Sequence, residues 1–407
     1  MRRREFLAAP LALAACATLP SRAVPDGWAG AEGAADIGSA LGAERTLDIR
    51  SRADLDAALR LGDQPKLLRV HGVIDLAGGR GVADFTDSGF DFDAYCRAYS
   101  PQAWGRRVLS GPLEEARKRS AARQASAIVT SVPSRTAIIG VTANAGFVDG
   151  TLMVERSSGV VLRNLHFGGV RDHFPAWDPL DGAEGEWNSA YDTLLLRGAR
   201  STWVDHCSFE SRYPPKTRIF GRLFETNDGL LDITLAADFI TVSWCRFARH
   251  DKVMLIGGSD RHEADEGHLR VTLHHNLWED CAERTPRVRF GRVHVANNLF
   301  VAPDPAHYGY SIGLGKRCRI VSEHNAWEVA PGIEETRFLR NWGGTQFHDL
   351  GSIRNGRPVD LAAAFRRTYP SVVLDDRPAF APPPIVGRLP ASEIAAAVRA
   401  GAGVIPA

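Results

Sequence analysis

The sequence predicts an all-β chain wound as a parallel β-helix, with one short N-terminal helix and a C-terminal tail folded over the coil. Six short segments, at 161–167, 203–209, 241–247, 272–278, 294–300 and 320–327, share a strand pattern that ends in an aromatic. Two positions before each aromatic stand Leu165, Cys207, Cys245, Asn276, Asn298 and Asn325. The closest recurrences are 22 and 27 residues apart with no helical stretch between them, the spacing of stacked coils. Composition agrees: Gly is abundant at 39 and Met scarce at 3, and Val, Ile and Thr fall in short runs.

Taken from the N-terminus, residues 1–23 read as an export signal. Arg2-Arg3-Arg4 precedes Phe6-Leu7 and a short Ala/Leu run, and the arginine pair before Phe6 fits a twin-arginine signal. Leu13-Ala14-Ala15-Cys16 matches a lipobox, which would place a lipid anchor on Cys16; cleavage near Ala15 or Ala23 is the alternative. The apolar run is too short to span a bilayer, so no transmembrane span is expected. Residues 24–45, rich in Ala, Gly and Pro, read as a flexible tether. Residues 46–345 read as the β-helix domain and 346–407 as the tail.

Within the domain, residues 66–76 are strand candidates. The stretch from Pro112 to Ala127 is the one clear helix, opened by Pro with acids in its first turn. In the repeats, identical inward positions would stack about 4.8 Å apart, so the Asn residues can form a hydrogen-bonded ladder beside a stack of aromatics. Cys207 and Cys245 then read as small buried ladder residues. The cysteines Cys96, Cys207, Cys245, Cys281 and Cys318 lack C-x-x-C spacing, which argues against zinc or iron–sulfur. In the tail a short helix is expected at 392–400, with the tail covering an open end of the coil.

Charge is nearly balanced, 49 Lys and Arg against 48 Asp and Glu, so no global field points to nucleic acid or an anionic membrane. Positive charge is instead local. Glu283-Arg284-Thr285-Pro286-Arg287-Val288-Arg289 concentrates guanidinium groups, and His250-Asp251-Lys252 forms a second cationic element; such a cluster grips carboxylate or phosphate. Upstream stand Asp192, Asp228 and Asp232. Coiling brings residues one or two turns apart together, and three hard carboxylates without His or Cys suit calcium. Asp205-His206 and His274-His275 read as structural, the latter as strand packing plus a surface group, because no Ser or Cys has a nucleophile context.

The runs EWNSAYD, Trp203-Val204-Asp205-His206, DGLLDITLAADFITVSWC, HDKVMLIGGSD, GHLRVTLHHN and RTPRVRFGRVHVANN resemble a pectate lyase of the family that folds as a right-handed parallel β-helix. The resemblance spans residues 66–330, more weakly to the C-terminus. It implies calcium ligands at Asp192, Asp228 and Asp232, substrate-binding Lys252 and Arg289, and a catalytic base at Arg284. It further implies calcium-dependent eliminative cleavage of polygalacturonate outside the cytoplasm by a monomer. A pectin lyase acting on methyl-esterified chains and a non-catalytic cell-surface polyuronate-binding β-helix are the alternatives. Glu283 departs from the neutral residue usual there, and Ala296 stands where an aromatic is common. Strand alternation would point Glu283 away from Arg284. Lys252, Arg289 and calcium would together disfavour charge on Arg284, giving an alkaline optimum.

Overall fold

The computed structural model describes residues 24–34, 40, 42–213 and 217–405; the expected export signal and Cys16 lie outside them. Three sheets of ten, ten and eight strands run the length of the molecule, with successive coils paired in parallel. One coil runs Asp238–Ser243, Arg246–Lys252, Leu255–Ile256; the next runs Arg270–His274, Leu277–Glu283, Arg287–Val288. The architecture is the parallel β-helix expected from the repeat.

The bend between the first two sheets explains the repeat. Asn164, His206, Trp244, His275, Asn297 and His324 all have φ between 49° and 57°, a left-handed turn that Asn and His adopt more readily than most residues. This turns the following residue inward, and that residue is the ladder position. Asn276 donates from Nδ2 to Asn298 Oδ1 (3.0 Å), and Asn298 from Nδ2 to Asn325 Oδ1 (3.1 Å). The backbone N–H of Cys245 joins the ladder by donating to Asn276 Oδ1 (2.9 Å). Two residues on, the aromatics stack: Phe167–Phe209 at 4.6 Å, Phe209–Phe247 at 4.8 Å, Phe247–Trp278 at 4.5 Å and Phe300–Trp327 at 4.5 Å between centroids. These separations match the strand spacing. All five described cysteines are free thiols, Cys207 and Cys245 fully buried.

Helices close the coil. Arg52–Leu59 puts Leu55 and Ala58 onto the core at one end, and Leu361–Thr368 puts Leu361 and Phe365 onto it at the other. Pro112–Ile128 and Ala391–Gly401 match the expected helices within a residue. Glu114 does more than favour the helix N-terminus: it is buried and bridges Arg117 at 2.8 Å. Phe92–Tyr99 and Pro101–Trp104 were not anticipated; their aromatics point into the cluster of Tyr95, Tyr99, Trp177 and Trp187, a non-repeating packing with no period to read.

The tail runs along the side of the coil as well as over its end. The Leu389 N–H donates to Asn297 Oδ1, Gly403 N–H to Trp244 O and Ile405 N–H to Asn164 Oδ1, so it satisfies the exposed edge of the left-handed bends. Part of the expected tether is also packed. The N–H groups of Trp28 and Ala29 donate to Thr272 and Thr241 hydroxyls, and Asp26 bridges His274 Nε2 at 2.9 Å. Both His274 and His275 are therefore buried beneath the two terminal segments, and neither is a surface group.

Candidate active site

The three aspartates meet at one end of the third sheet. Asp232 lies in the strand Leu231–Thr234, and Asp192 stands two residues before Leu194–Arg197 on the adjacent rung, where Leu194 pairs with Leu231. The Thr193 N–H donates to Gly229 O and the Gly229 N–H to Asp192 Oδ1 (2.8 Å), which ties the two segments together. Asp228 sits in the loop before the strand, held by the Nε2 of His250, which donates to its carbonyl (2.5 Å). Burial lowers the proton affinity of His250, which favours its neutral form.

This arrangement fits a divalent cation. A Cβ placed on Gly229 would meet Asp192 Oδ1 at 2.7 Å and Asp232 Oδ1 at 2.8 Å, so two carboxylates converge on a space kept open by a glycine. Burial, then Asp232 and Asp228, push the Asp192 carboxyl well above its ordinary value. Burial and Asp228 push Asp232 up to about 7. Such repulsion is what an added cation relieves. Among the described residues no three His, Cys, Asp or Glu side chains stand close enough together to hold a metal ion as they are, so the fit rests on the convergence of Asp192 and Asp232 at Gly229.

Each nearby cation leans on an acid, and two of these acids, Glu225 and Asp260, were not singled out from the sequence. Lys252 Nζ lies 2.5 Å from Glu225 Oε2 and 3.9 Å from Asp228 Oδ1. Arg289 donates from Nε to Asp260 Oδ1 (2.6 Å) and from Nη1 to Gly257 O (2.9 Å). Arg284 Nε lies 3.2 Å from Glu283 Oε1, against the expectation that Glu283 would point away. The cause is backbone geometry: Arg284 has φ 60°, which breaks the strand alternation on which that expectation rested. The charge on Arg284 departs from expectation too. Burial opposes it, but Glu283, Asp228 and Asp232 outweigh burial and raise its proton affinity above the ordinary value.

Nothing local marks Glu225 or Asp260 in the sequence, since each acts across a turn of the coil. Glu283 was visible as a departure from pattern, and only its direction was misread. The six residues singled out from sequence nonetheless come together, with Asp192, Asp228, Asp232 and Lys252 within one linked set and Arg284 and Arg289 on the following coil. An aromatic platform holds this end in place: Trp187 packs on Trp177 (5.4 Å) and Phe224 (5.0 Å), next to the segments that carry Asp192 and Glu225.

Residues 111–374 match the family model described as pectate lyase. The chain is 34% identical over 353 residues to a pectate lyase of Bacillus subtilis (strain 168), covering 83% of this chain and 84% of that protein. It is 33% identical over 362 residues to pectate lyase E of Dickeya chrysanthemi, covering 84% and 79%. Among solved structures, a thermostable pectate lyase superposes with a TM-score of 0.88 at 36% identity, covering 93% of this chain and 96% of the other. A pectate lyase bound to a hexasaccharide also gives 0.88, at 31% identity over 95% and 99% of the two chains.

Proposed function

We propose that this chain, which belongs to the pectate lyase family and is a lyase, cleaves α-1,4-linked galacturonan by calcium-dependent β-elimination and releases 4,5-unsaturated products. The observation that carries the reading is the juxtaposition of the Asp192–Asp228–Asp232 cradle with Lys252, Arg284 and Arg289. An anionic sugar chain needs both halves.

Galacturonate carries a carboxylate on C6, and elimination removes the proton from the neighbouring C5. Calcium held by Asp192, Asp228 and Asp232 would draw charge from that carboxylate and make the C5 proton more acidic. Lys252 and Arg289, which pair with Glu225 and Asp260 in the absence of substrate, would bind the same carboxylate. Arg284, in its neutral form, accepts the C5 proton. The C5–H electron pair becomes the C4–C5 double bond, the C4–O4 bond breaks, and O4 leaves to take a proton from water. A guanidinium is ordinarily always protonated, so the neutral form is scarce until cation binding offsets Asp228 and Asp232. Alkaline solution then favours activity.

The acidic cradle speaks against a site for methyl-esterified chains, which have no use for a cation cage. A polymer of this kind is met outside the cytoplasm, in keeping with an export signal carrying Arg3-Arg4 and a lipid anchor on Cys16. The test is the near-ultraviolet absorbance of unsaturated products on incubation with polygalacturonate. It should rise with calcium and not with chelator, and Arg284→Lys should abolish most of the rise. Equal rates with chelator, or with Arg284→Lys, would refute the mechanism.

A further inference from the structure

Strand pairing does not reach two of the three cradle acids. The parallel pairing between their rungs begins at Leu194 and Leu231, so Asp192 and Asp228 stand in the loops ahead of it. Asp232 lies within the strand Leu231–Thr234, and the Leu255 N–H donates to its Oδ1 (2.8 Å). The acids repel one another, and loops with no other hold would part under that force. Their hold comes from outside the coil.

Asp172 provides it. This side chain is buried and uses both oxygens. Its Oδ1 accepts the Phe174 N–H (2.8 Å), and its Oδ2 accepts the Ala190 N–H (2.9 Å), two residues before Asp192. The Asp172 N–H donates to Thr226 O (2.7 Å), two residues before Asp228. The two loops are also tied directly, since the Asp228 N–H donates to Tyr191 O (3.0 Å). Burial pushes the Asp172 carboxyl above its ordinary value; an acid in this position is unfavourable unless N–H groups meet both oxygens.

The helix Pro112–Ile128 anchors Asp172 in turn. Gln124 donates to Arg171 O (2.6 Å) and accepts from the His173 N–H (3.0 Å), gripping the residues on either side of Asp172. Arg117 donates to Phe174 O (2.8 Å), and the Tyr191 hydroxyl donates to Ala121 O (3.2 Å). Arg117, Gln124 and Tyr191 are all buried. A helix that forms no part of the repeat thus reaches one cradle loop through Tyr191 and both through Asp172.

We propose that Asp172 is a positioning residue of the cation site: anchored on the helix Pro112–Ile128, it holds the Asp192 and Asp228 loops against their mutual repulsion. Less ordering is then left for calcium to impose when it binds. Asp172 acts through the loops and does not itself touch the cation. The inference rests on reading the three aspartates as a calcium site.

The experiment measures calcium affinity of the full chain by titration calorimetry without sugar, and the rate on polygalacturonate as calcium is varied. In Asp172→Asn the amide oxygen can accept from only one of the two N–H groups. Calcium should bind roughly tenfold more weakly, and half-maximal rate should need correspondingly more calcium. The rate at saturating calcium should stay within about twofold of the parent. Asn298→Ala, which weakens the coil away from the cradle, should leave calcium affinity unchanged. Tyr191→Phe, which removes only the tie to Ala121, should weaken calcium about threefold, and its result decides if Asp172→Asn does not fold. Parent-like calcium affinity in the deciding variant, or an equal loss in Asn298→Ala, would overturn the positioning role. So would a lower saturating rate with calcium affinity unchanged. If calcium binding weakens as expected but the parent releases no unsaturated product, the lyase reading falls and the positioning role stands. If the parent binds no calcium, the cation reading falls and takes this inference with it.

Discussion

In the proposed reaction Arg284 and Glu283 form the pair on which the chemistry turns. Glu283 raises the proton affinity of the adjacent guanidinium, as do Asp228 and Asp232 across the coil. Replacing Glu283 by Gln removes one of these influences without changing the shape of the side chain. The rising limb of the pH–rate profile should then move to lower pH in Glu283→Gln, because less alkaline conditions suffice to free the guanidine. A profile that stays in place would show that Glu283 has no hold on Arg284 during turnover. Arg284→Lys should lower kcat by about a hundredfold or more with a smaller change in KM, since general-base catalysis accounts for rate factors of about 10²–10⁴.

The asparagine ladder is the element that most clearly links sequence to stability. Asn298 accepts from Asn276 and donates to Asn325, Leu273 O and Ala296 O, all in a fully buried bend. Asn298→Ala leaves these partners unsatisfied and should cost about 2–4 kcal/mol in urea-induced unfolding. Asn298→Ser, which keeps a hydroxyl, should cost less. His275 sits on the same bend, one residue before the ladder. Burial and its neighbour His274 hold the imidazole at about 3, while the unfolded chain titrates near its usual value of about 6.5. The unfolded state therefore takes up the proton first. Stability due to this residue is fully present above pH ~6.5 and falls by about 1.4 kcal/mol per unit as pH drops toward 3. His275→Asn, a residue the bend already accepts at Asn164 and Asn297, should show a shallower acid loss than the parent.

In the molecule as a whole, the three aspartates join two adjacent coils, and their repulsion is a cost of the fold until it is neutralised. Calcium should raise the melting temperature, with a gain of about 2.7 kcal/mol at a hundredfold excess over Kd. Asp192→Asn should abolish most of that calcium-dependent gain while raising the melting temperature measured in chelator. A melting temperature indifferent to calcium in the parent chain would exclude the cradle as a cation site.

Much of this architecture is written locally. Strand, left-handed bend, inward Asn and following aromatic each occupy adjacent residues, so their recurrence reveals the coil, the ladder and the ring stack without any long-range information. The acids and cations of the groove were legible because their residue types are chemically distinctive in a balanced chain. Tertiary structure alone decided the partners: Glu225 on Lys252, Asp260 on Arg289, Asp26 on His274, and the two terminal segments laid over the bends. It also decided the direction of Glu283, since one residue at positive φ reverses an alternation that the strand pattern would extend unbroken. Local periodicity determines which face a residue occupies; electrostatic pairing depends on distances between coils, which no stretch of sequence contains.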